Sequence, residues 1–290
     1  MISIIITAFK EPQTGRAIES FLTQKIKSEY EIIVSAPDTE TQNIVKKYKK
    51  VRLFKDPGKG KSYALNLLLN EAKGDIILLT DGDVYVSDNS VNEILKKFED
   101  ESVGCVTGRP VPVEDKKTKY GYWANFLFDS AHKLRKKLYD KNNFLECSGY
   151  LWAFRNNIIK DFPLDVAEDT IVPYFFWGKK YKIAYAENAQ VFVKNVDNWK
   201  DWVNQKVRCS RAHETLGKYV DVKKTPRTKN LSNESKGVIS LVSYPSGIKE
   251  LFWTFELFVA RLYMWGIVFY EVYFKKKYHK DNWKRVESAR

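Results

Sequence analysis

Apolar runs separated by amphipathic segments dominate the first third of the chain. Residues 3–9, 31–35, 51–54 and 76–79 are predicted strands, and the run at 76–79 has no polar alternation, which is typical of a strand buried on both faces. Between these runs, apolar residues recur at helical spacing. The repeated order of strand and helix implies right-handed crossovers. We therefore expect an α/β fold with a mainly parallel central sheet and helices on both faces.

The same patterns continue after residue 100. They predict a strand over residues 103–113, an aromatic-rich helix over 120–139 and a helix that begins near Asn198. The predicted helix at residues 120–139 carries four aromatic side chains that could bind a sugar, which are Tyr122, Trp123, Phe126 and Phe128. Core packing is the more frequent use of such rings, and stacking on a sugar is the alternative.

The most apolar segment runs from residue 251 to residue 274 and contains Glu256, Arg261 and Glu271. On a helical wheel, these charges and those just before the segment fall within an arc of about 120 to 140°, which leaves a wide apolar and aromatic face. A charge at the bilayer centre costs roughly 2.5 to 3.5 kcal/mol, which counts against an isolated spanning segment. We expect an amphipathic helix at a membrane interface, with a helix packed on the domain and a spanning helix as alternatives.

Composition and charge indicate what class of protein this is and what kind of partner it binds. The chain has 290 residues, 44% of them hydrophobic, so it can bury a substantial core. Its three cysteines are far apart, which favours a reducing compartment, and its first residues show no secretory signal. The net charge of +13 implies an anionic partner. Basic residues crowd the end of the chain, directly after the apolar segment: Lys275, Lys276, Lys277, Lys280, Lys284 and Arg285. That placement favours a membrane surface, and no nucleic-acid-binding motif accompanies the charge.

Two carboxylates follow the buried strand at residues 76–79. Asp81 and Asp83 are separated by Gly82, which allows a sharp turn or a close approach to a ligand. In open α/β sheets, ligands bind beyond the carboxyl ends of strands, and hard divalent cations take carboxylate oxygens together with substrate phosphates. The pattern therefore suits a metal and phosphate site. A β-hairpin with a turn at Asp81 and Gly82 is the alternative.

The segment DPGKGK at residues 56–61 precedes a predicted helix. Two glycines and two lysines at a helix N-terminus resemble an anion cradle, although the full phosphate loop GxxxxGK[ST] is absent. A solvated turn is the alternative.

Residues 1 to about 215 resemble family 2 glycosyltransferases, which have the GT-A fold. The motifs occur in the family's order: T-x-x-N/K-E at residues 7–11, G-K-x-x-A-x-N at 60–66 and D-x-D at 81–83. At the second strand end the family often has D-D-G-S, whereas this chain has Ser35, Ala36, Pro37 and Asp38. The resemblance implies that Asp83 and Asp81 bind the metal. It implies these donor contacts: Thr7, Ala8, Glu11, Asp38, Lys61, Asp81 and Gly82.

Three later segments resemble the acceptor side of the family. Residues 149–155 resemble G-x-x-x-A-F-R, and Glu168 and Asp169 match an E-D pair. Residues 205–209 resemble Q-x-x-R-W, with Cys209 in place of the tryptophan. The resemblance implies that Asp169 is the catalytic base and that the acceptor contacts are Gly149, Trp152, Glu168, Gln205 and Arg208. Without the resemblance, residues 149–155 fit a buried strand, and Glu168 and Asp169 fit acids in the first turn of a helix. Gln205 and Arg208 then fit a solvated helix face.

The resemblance implies a metal-dependent, inverting glycosyltransferase. We expect Mg²⁺ or Mn²⁺, a UDP- or GDP-sugar donor, a glycan or lipid-linked acceptor, and a location on the cytoplasmic side of the cell membrane or otherwise in the cytoplasm. Residues 1–216 would form the GT-A domain, with a nucleotide-sugar half at 1–110 and an acceptor half at 111–216. Residues 217–236 would form a flexible basic loop, and 237–290 an amphipathic region that associates with membranes.

Two other functions compete with this interpretation. A sugar-phosphate nucleotidyltransferase uses a similar sheet and metal, but the glycine-rich loop G-x-G-T/S-R is missing after the first strand. A non-catalytic basic protein that binds membrane or nucleic acid would keep the charge and would turn over no nucleotide sugar.

Overall fold

The computed structural model describes residues 1–225 and 243–276. Within them, one sheet has the strand order β3-β2-β1-β4-β7-β6-β8-β5. The strands are β1 (Ile2–Thr7), β2 (Tyr30–Ser35), β3 (Val51–Phe54), β4 (Ile76–Asp81), β5 (Tyr85–Val86), β6 (Val103–Pro112), β7 (Leu151–Arg155) and β8 (Lys182–Val193). The helices are α1 (Thr14–Leu22), α2 (Thr39–Val45), α3 (Lys61–Leu69), α4 (Ser90–Lys97), α5 (Lys119–Asp140), α6 (Glu168–Gly178), α7 (Trp199–Arg211) and α8 (Ile248–Phe269).

The first four strands of the chain pair with one another in parallel. Strand β1 pairs in parallel with β2 and β4, and β2 pairs in parallel with β3. Strand β7 lies antiparallel between β4 and β6, and β6 pairs in parallel with β8. The expected α/β fold with a mainly parallel sheet is confirmed. The hairpin alternative is wrong, because Tyr85 and Val86 pair with β8 rather than with β4.

Both faces of the central strands are covered, which explains their uninterrupted apolar sequence. Ile4 and Leu78 belong to one buried cluster, whereas Ile5 and Leu79 belong to a second cluster on the other face. Successive side chains of a strand point to opposite faces, so both faces must be apolar. Helices then fill both layers, and the carboxyl ends of β1, β2 and β4 are left as the accessible edge.

A third buried cluster joins α5, α7 and α8. Tyr122 of α5 forms a 2.6 Å hydrogen bond with Thr254 of α8, and Trp123 donates through Nε1 to the carbonyl oxygen of Trp253 at 2.8 Å. Tyr122, Trp123 and Phe126 are all buried, so core packing is the use of these rings. Phe128 differs, because it is only half-buried.

Two acids of the C-terminal helical stretch, Glu256 and Glu271, face the domain. Glu256 lies 3.5 Å from Lys119, and Glu271, just beyond α8, lies 2.7 Å from Arg211 of α7. The exposed positions from residue 251 to residue 274 carry no charge: Leu251, Phe252, Phe255, Phe258, Val259, Leu262, Tyr263, Gly266, Phe269, Tyr270, Tyr273 and Phe274. The helix thus packs on the domain by one face and leaves a wide apolar face uncovered by the described residues.

By length and composition, the 27-residue helical stretch Ile248–Phe274, which contains an 18-residue window with a mean hydropathy of 1.3, is the one candidate membrane span among the described residues. Residues 226–236 of the expected basic loop lie outside the described residues. So do four members of the expected basic cluster, which are Lys277, Lys280, Lys284 and Arg285.

Candidate active site

The register of the parallel strands brings three polar residues to one edge. Thr7 pairs with Ser35 on one side and with Asp81 on the other. Its Oγ1 donates to Oδ1 of Asp81 at 3.0 Å, which fixes one carboxylate of the D-G-D segment. Thus the predicted first-strand motif and the predicted D-x-D motif are neighbours in space.

Gly82 packs directly against the end of β1. Its amide donates to the carbonyl oxygen of Thr7 at 2.8 Å. A Cβ atom on Gly82 would lie 2.6 Å from the Cβ of Ala8, a separation that side chains do not tolerate. The glycine therefore lets Asp81 and Asp83 lie beside the loop that carries Glu11.

Lys61 links the D-G-D segment to helix α6. It is the first residue of α3, directly after Gly60, whose φ of 116° favours glycine. Its Nζ lies 2.7 Å from Oδ1 of Asp81 and 2.8 Å from Oε1 of Glu168. Burial alone would lower the pKa of Lys61, but the charges of Asp81 and Glu168 outweigh it and raise that pKa well above its usual value. The ammonium stays charged and joins β4 to α6.

The carboxylates near Asp83 form a region of concentrated negative charge. The Asp83 side chain reaches solvent, yet partial desolvation by the surrounding protein, followed by the charges of Asp81 and Glu11, raises its pKa to about 7. Glu11 is buried, and its Oε1 accepts a hydrogen bond from the amide of Gln13 at 2.8 Å. A cation would relieve the repulsion between these groups.

The donor set fits a hard divalent cation that shares its ligands with a substrate. Among the described residues, no group of three or more His, Cys, Asp or Glu side chains converges on one point. Asp81 and Asp83 therefore offer a partial shell of carboxylate oxygens, which diphosphate oxygens and water would complete. Mg²⁺ and Mn²⁺ are bound in this way at many phosphate sites.

Asp38 anchors the loop on the far side of β1. Its Oδ1 accepts from the amide of Thr41 and caps α2, and its Oδ2 accepts from the amide of Lys10, each at 2.8 Å. Although burial opposes the change, these backbone bonds lower the pKa of Asp38. The side chain is held ionised between the loops that follow β1 and β2.

Asp56 is a neighbouring acid that the sequence analysis did not single out. It accepts hydrogen bonds from Oγ of Ser35 at 3.0 Å and from the amide of Gly58 at 2.6 Å. Burial raises its pKa, and the charge of Asp38 acts in the same direction. Its position just after β3 was the available signal, because that strand ends at the same edge.

Gly149 and Asp169, which were both predicted to lie on the acceptor side, are close to each other. A Cβ atom on Gly149 would lie 3.0 Å from Oδ2 of Asp169. Asp169 is half-buried in the first turn of α6, and Glu168 beside it is buried against Lys61. Because Thr80 pairs with Leu151, Gly149 enters β7 next to the point where β4 ends. The candidate base therefore lies near the D-G-D segment.

The expectation for Trp152 is wrong. Its side chain is 0% exposed and stacks on Phe154, with ring centroids 5.3 Å apart. Leu151 and Ala153 belong to one buried cluster and Trp152 and Phe154 to the other, so both faces of β7 are covered and Trp152 presents no surface to a ligand. Tyr150, two residues earlier, is half-buried and stays partly accessible.

Helix α7 reaches the site through Arg208. The positive charge of Arg208 lowers the pKa of the Tyr150 hydroxyl, whereas burial, Cys209, Asp83 and Asp81 raise it. The side chain of Gln205 is half-buried, and its Oε1 has no hydrogen-bond partner in the part of the chain that the structure describes. Arg208 is thus placed within electrostatic reach of the carboxylates, and Gln205 lies on the same helix face.

Comparisons with known proteins agree with this arrangement. Residues 3–162 match the sequence model described as glycosyl transferase family 2. The chain is 26% identical to the probable glycosyltransferase YdaM of Bacillus subtilis (strain 168) over 234 residues, which are 73% of this chain and 55% of that protein. It is 28% identical to the hyaluronan synthase of Streptococcus pyogenes over 102 residues, which are 35% of this chain and 24% of the synthase. The chain therefore matches about half or less of the length of these curated relatives.

A solved structure extends the likeness to almost the whole chain. The mannosyltransferase PcManGT from Pyrobaculum calidifontis, in complex with GDP-Man and Mn²⁺, superposes with a TM-score of 0.65 at 15% sequence identity. The superposition covers 95% of this chain and 88% of that one. At this level of identity, the likeness shows the fold, which is the expected GT-A fold.

Proposed function

Because the chain belongs to glycosyl transferase family 2, we propose that it transfers a sugar with inversion from a UDP- or GDP-sugar to a glycan or lipid-linked acceptor. The observation that carries the proposal is the double contact of Lys61 with Asp81 and Glu168. This contact joins the strand end that suits a metal and diphosphate to the helix that carries a candidate base.

The donor would lie along the edge formed by β1, β2 and β4. Thr7 ends β1, Ala8 and Glu11 follow it, and Asp38 follows β2, so these residues would surround the nucleoside. When bound by Asp83 and Asp81, Mg²⁺ or Mn²⁺ neutralises the charge that develops on the diphosphate leaving group. Gly82 allows the backbone to approach that group closely, and Lys61 supplies a second positive charge.

The acceptor would approach from the side of α6 and α7. Asp169 accepts the proton of the attacking hydroxyl, a task for a carboxylate opposite the leaving group. Gly149 leaves the space that Asp169 needs, and Glu168 holds the first turn of α6 against Lys61. Arg208 and Gln205 lie on α7 on the acceptor side.

We further propose that α8 lies on the cytoplasmic face of an anionic membrane. Its exposed face is apolar and aromatic along its length, and Glu256 and Glu271 pair with the domain, so the exposed face can enter the interface without burying these charges. Exposed lysines stand at both ends, with Lys249 at the start and Lys275 and Lys276 after the last turn. This distribution favours a helix parallel to the surface.

Release of nucleoside diphosphate from a panel of UDP- and GDP-sugars tests the proposed reaction. We expect metal-dependent release by the wild type, which chelation by EDTA abolishes and Mn²⁺ or Mg²⁺ restores. Asp83→Ala and Asp169→Asn should each lose it, whereas Asp140→Asn, an exposed acid at the end of α5, should not. No release from any donor by folded protein, with membranes supplied as a source of acceptor, contradicts the proposal and supports a non-catalytic binding protein.

A further inference from the structure

Tyr150 occupies the junction between the donor and acceptor sides of the site. Its carbonyl oxygen accepts a hydrogen bond from Oγ1 of Thr80 at 2.7 Å, and Thr80 directly precedes Asp81. On its other side is Gly149, whose Cβ position lies 3.0 Å from Asp169. The backbone of Tyr150 is therefore fixed between a proposed metal ligand and the proposed base.

The ring of Tyr150 is supported from one side by Phe128 of α5. The two ring centroids are 6.2 Å apart and the ring planes differ by 27°. Both residues are half-buried, so part of the pair remains accessible. The stack holds the Tyr150 ring in one orientation without covering it completely.

The hydroxyl of Tyr150 lies within electrostatic range of Asp83, Asp81, Cys209 and Arg208. Burial raises its pKa, and the nearby Cys209, Asp83 and Asp81 raise it further, whereas Arg208 lowers it. The hydroxyl therefore stays protonated at neutral pH and is available as a hydrogen-bond donor. The charged neighbours of this hydroxyl belong to β4, to the turn after β4 and to α7. They therefore come from both the proposed donor side and the proposed acceptor side.

Other aromatic candidates for this place are buried. Trp152, Tyr122, Trp123 and Phe126 all belong to the core, with at most 5% of their surface exposed. The exposed position at Cys209 carries a thiol and no ring. Tyr150 and Phe128 thus form a partly accessible aromatic pair, and Tyr150 lies within electrostatic range of Asp83 and Arg208.

We propose that Tyr150, backed by Phe128, is the platform on which the ring of an acceptor sugar stacks, with the Tyr150 hydroxyl donating a hydrogen bond to that sugar. The inference rests on the proposed function, because it assigns the acceptor of the same site to the class of glycosides. An aromatic ring with a polar edge suits a sugar, whose C–H face is apolar and whose rim carries hydroxyls. A simple lipid phosphate has no such face.

The test measures nucleoside diphosphate release from the donor that the wild type accepts. Octyl β-glucoside, octyl α-mannoside and octyl N-acetyl-β-glucosaminide serve as sugar acceptors, and farnesyl phosphate serves as the phosphate acceptor. We expect at least one glycoside to stimulate release. Tyr150→Leu should raise the KM for that glycoside about fivefold to tenfold, the size of one aromatic contact. The KM for the donor should rise less than threefold, and Tyr150→Phe should show a smaller rise in acceptor KM than Tyr150→Leu.

Two further variants separate binding from folding. Tyr139→Leu removes a half-buried ring from the other end of α5 and should leave the acceptor KM unchanged. Phe128→Leu removes only the support of Tyr150 and should raise the acceptor KM by about threefold, a measurement that stands even where Tyr150→Leu fails to fold.

The outcomes distinguish this inference from the proposed function. Release that no glycoside stimulates, or that only farnesyl phosphate stimulates, overturns the platform and leaves the transferase intact. An equal rise of donor and acceptor KM in Tyr150→Leu also overturns it, because that result indicates a structural role. If the wild type releases no nucleoside diphosphate from any donor, the proposed function itself is overturned.

Discussion

The ammonium of Lys61 lies 2.8 Å from the carboxylate of Glu168, the first residue of α6. The same ammonium contacts Asp81 at 2.7 Å, so one cation spans from the end of β4 to the helix that carries Asp169. Their side chains are only 8 to 16% exposed, so the loss of one partner leaves an uncompensated and mostly buried charge, which costs more than the loss of a surface ion pair.

Replacing Lys61 should therefore affect both stability and reaction. Lys61→Ala leaves two mostly buried carboxylates without their shared cation, and we expect the free energy of unfolding to fall by about 3 kcal/mol. Urea unfolding measures this change. Lys59→Ala, at an exposed lysine of the same loop, should change the free energy of unfolding by less than about 0.5 kcal/mol. Equal effects of the two variants would contradict the bridging role.

A methyl group at residue 149 should reduce turnover through Asp169. In Gly149→Ala the new Cβ atom lies 3.0 Å from Oδ2 of Asp169, so the carboxylate must move by a few tenths of an ångström. We expect a fall in kcat of about tenfold or more, because proton transfer depends on hydrogen-bond geometry. The matched control is Gly178→Ala, where nothing lies within 4 Å of the new atom. An unchanged kcat in Gly149→Ala would argue against Asp169 as the base.

Low pH should destabilise the packing of the segment after α7, because Asp165 holds that segment. Burial raises the pKa of Asp165, but its hydrogen bonds with Lys218 and Tyr219 outweigh that effect, and the net pKa is lowered. The ionised group therefore stabilises the fold above the unfolded-state pKa of about 3.9. This contribution is lost as pH falls through the lower folded-state pKa.

We expect Asp165→Asn to reduce the free energy of unfolding by a constant amount from pH 5 to 8. The difference from the wild type should shrink below about pH 4. Urea unfolding between pH 3 and pH 8 checks this course, with Asp161→Asn, at an exposed loop position, as the control. A difference that grows on acidification would contradict the assigned sign.

Binding to vesicles should depend on the exposed face of α8. Phe255→Ser combined with Tyr273→Ser removes two rings that are 63% and 65% exposed, and we expect binding to vesicles of phosphatidylglycerol and phosphatidylcholine to fall at least tenfold. Sedimentation with vesicles measures it. Glu256→Gln, which changes a charge that faces the domain, should leave binding nearly unchanged. Vesicle binding by the wild type that needs no anionic lipid would exclude a role for the flanking lysines.

The strand ends of the site could be predicted from the sequence. Parallel strands end at one edge, so Thr7 and Asp81 could be assigned to the same edge once both runs were recognised as buried strands, although their direct pairing could not. The contact between Lys61 and Glu168 could not be predicted in this way. It depends on how α3 and α6 approach the sheet, which no local pattern encodes.

The choice between Trp152 and Tyr150 shows the same limit. A period of two along β7 separates its two faces, yet it does not tell which face a helix covers. Here both faces are covered from Leu151 to Phe154, whereas Tyr150, just before the strand, is half-buried. Sequence similarity singled out Trp152, which is buried, and did not single out Tyr150, which is half-buried.

The reversed direction of β7 has a consequence for how such a protein diversifies. Because β7 runs antiparallel to β4, it starts where β4 finishes, and the loop that leads into it arrives at the donor edge without crossing the sheet. Within that loop, residues 141–143 are exposed and residues 144–148 are buried. We therefore expect insertions at 141–143 to leave both the buried part of the loop and the hydrogen-bond ladder in place, so that the surface beside this edge can change without any change in the strands that form it.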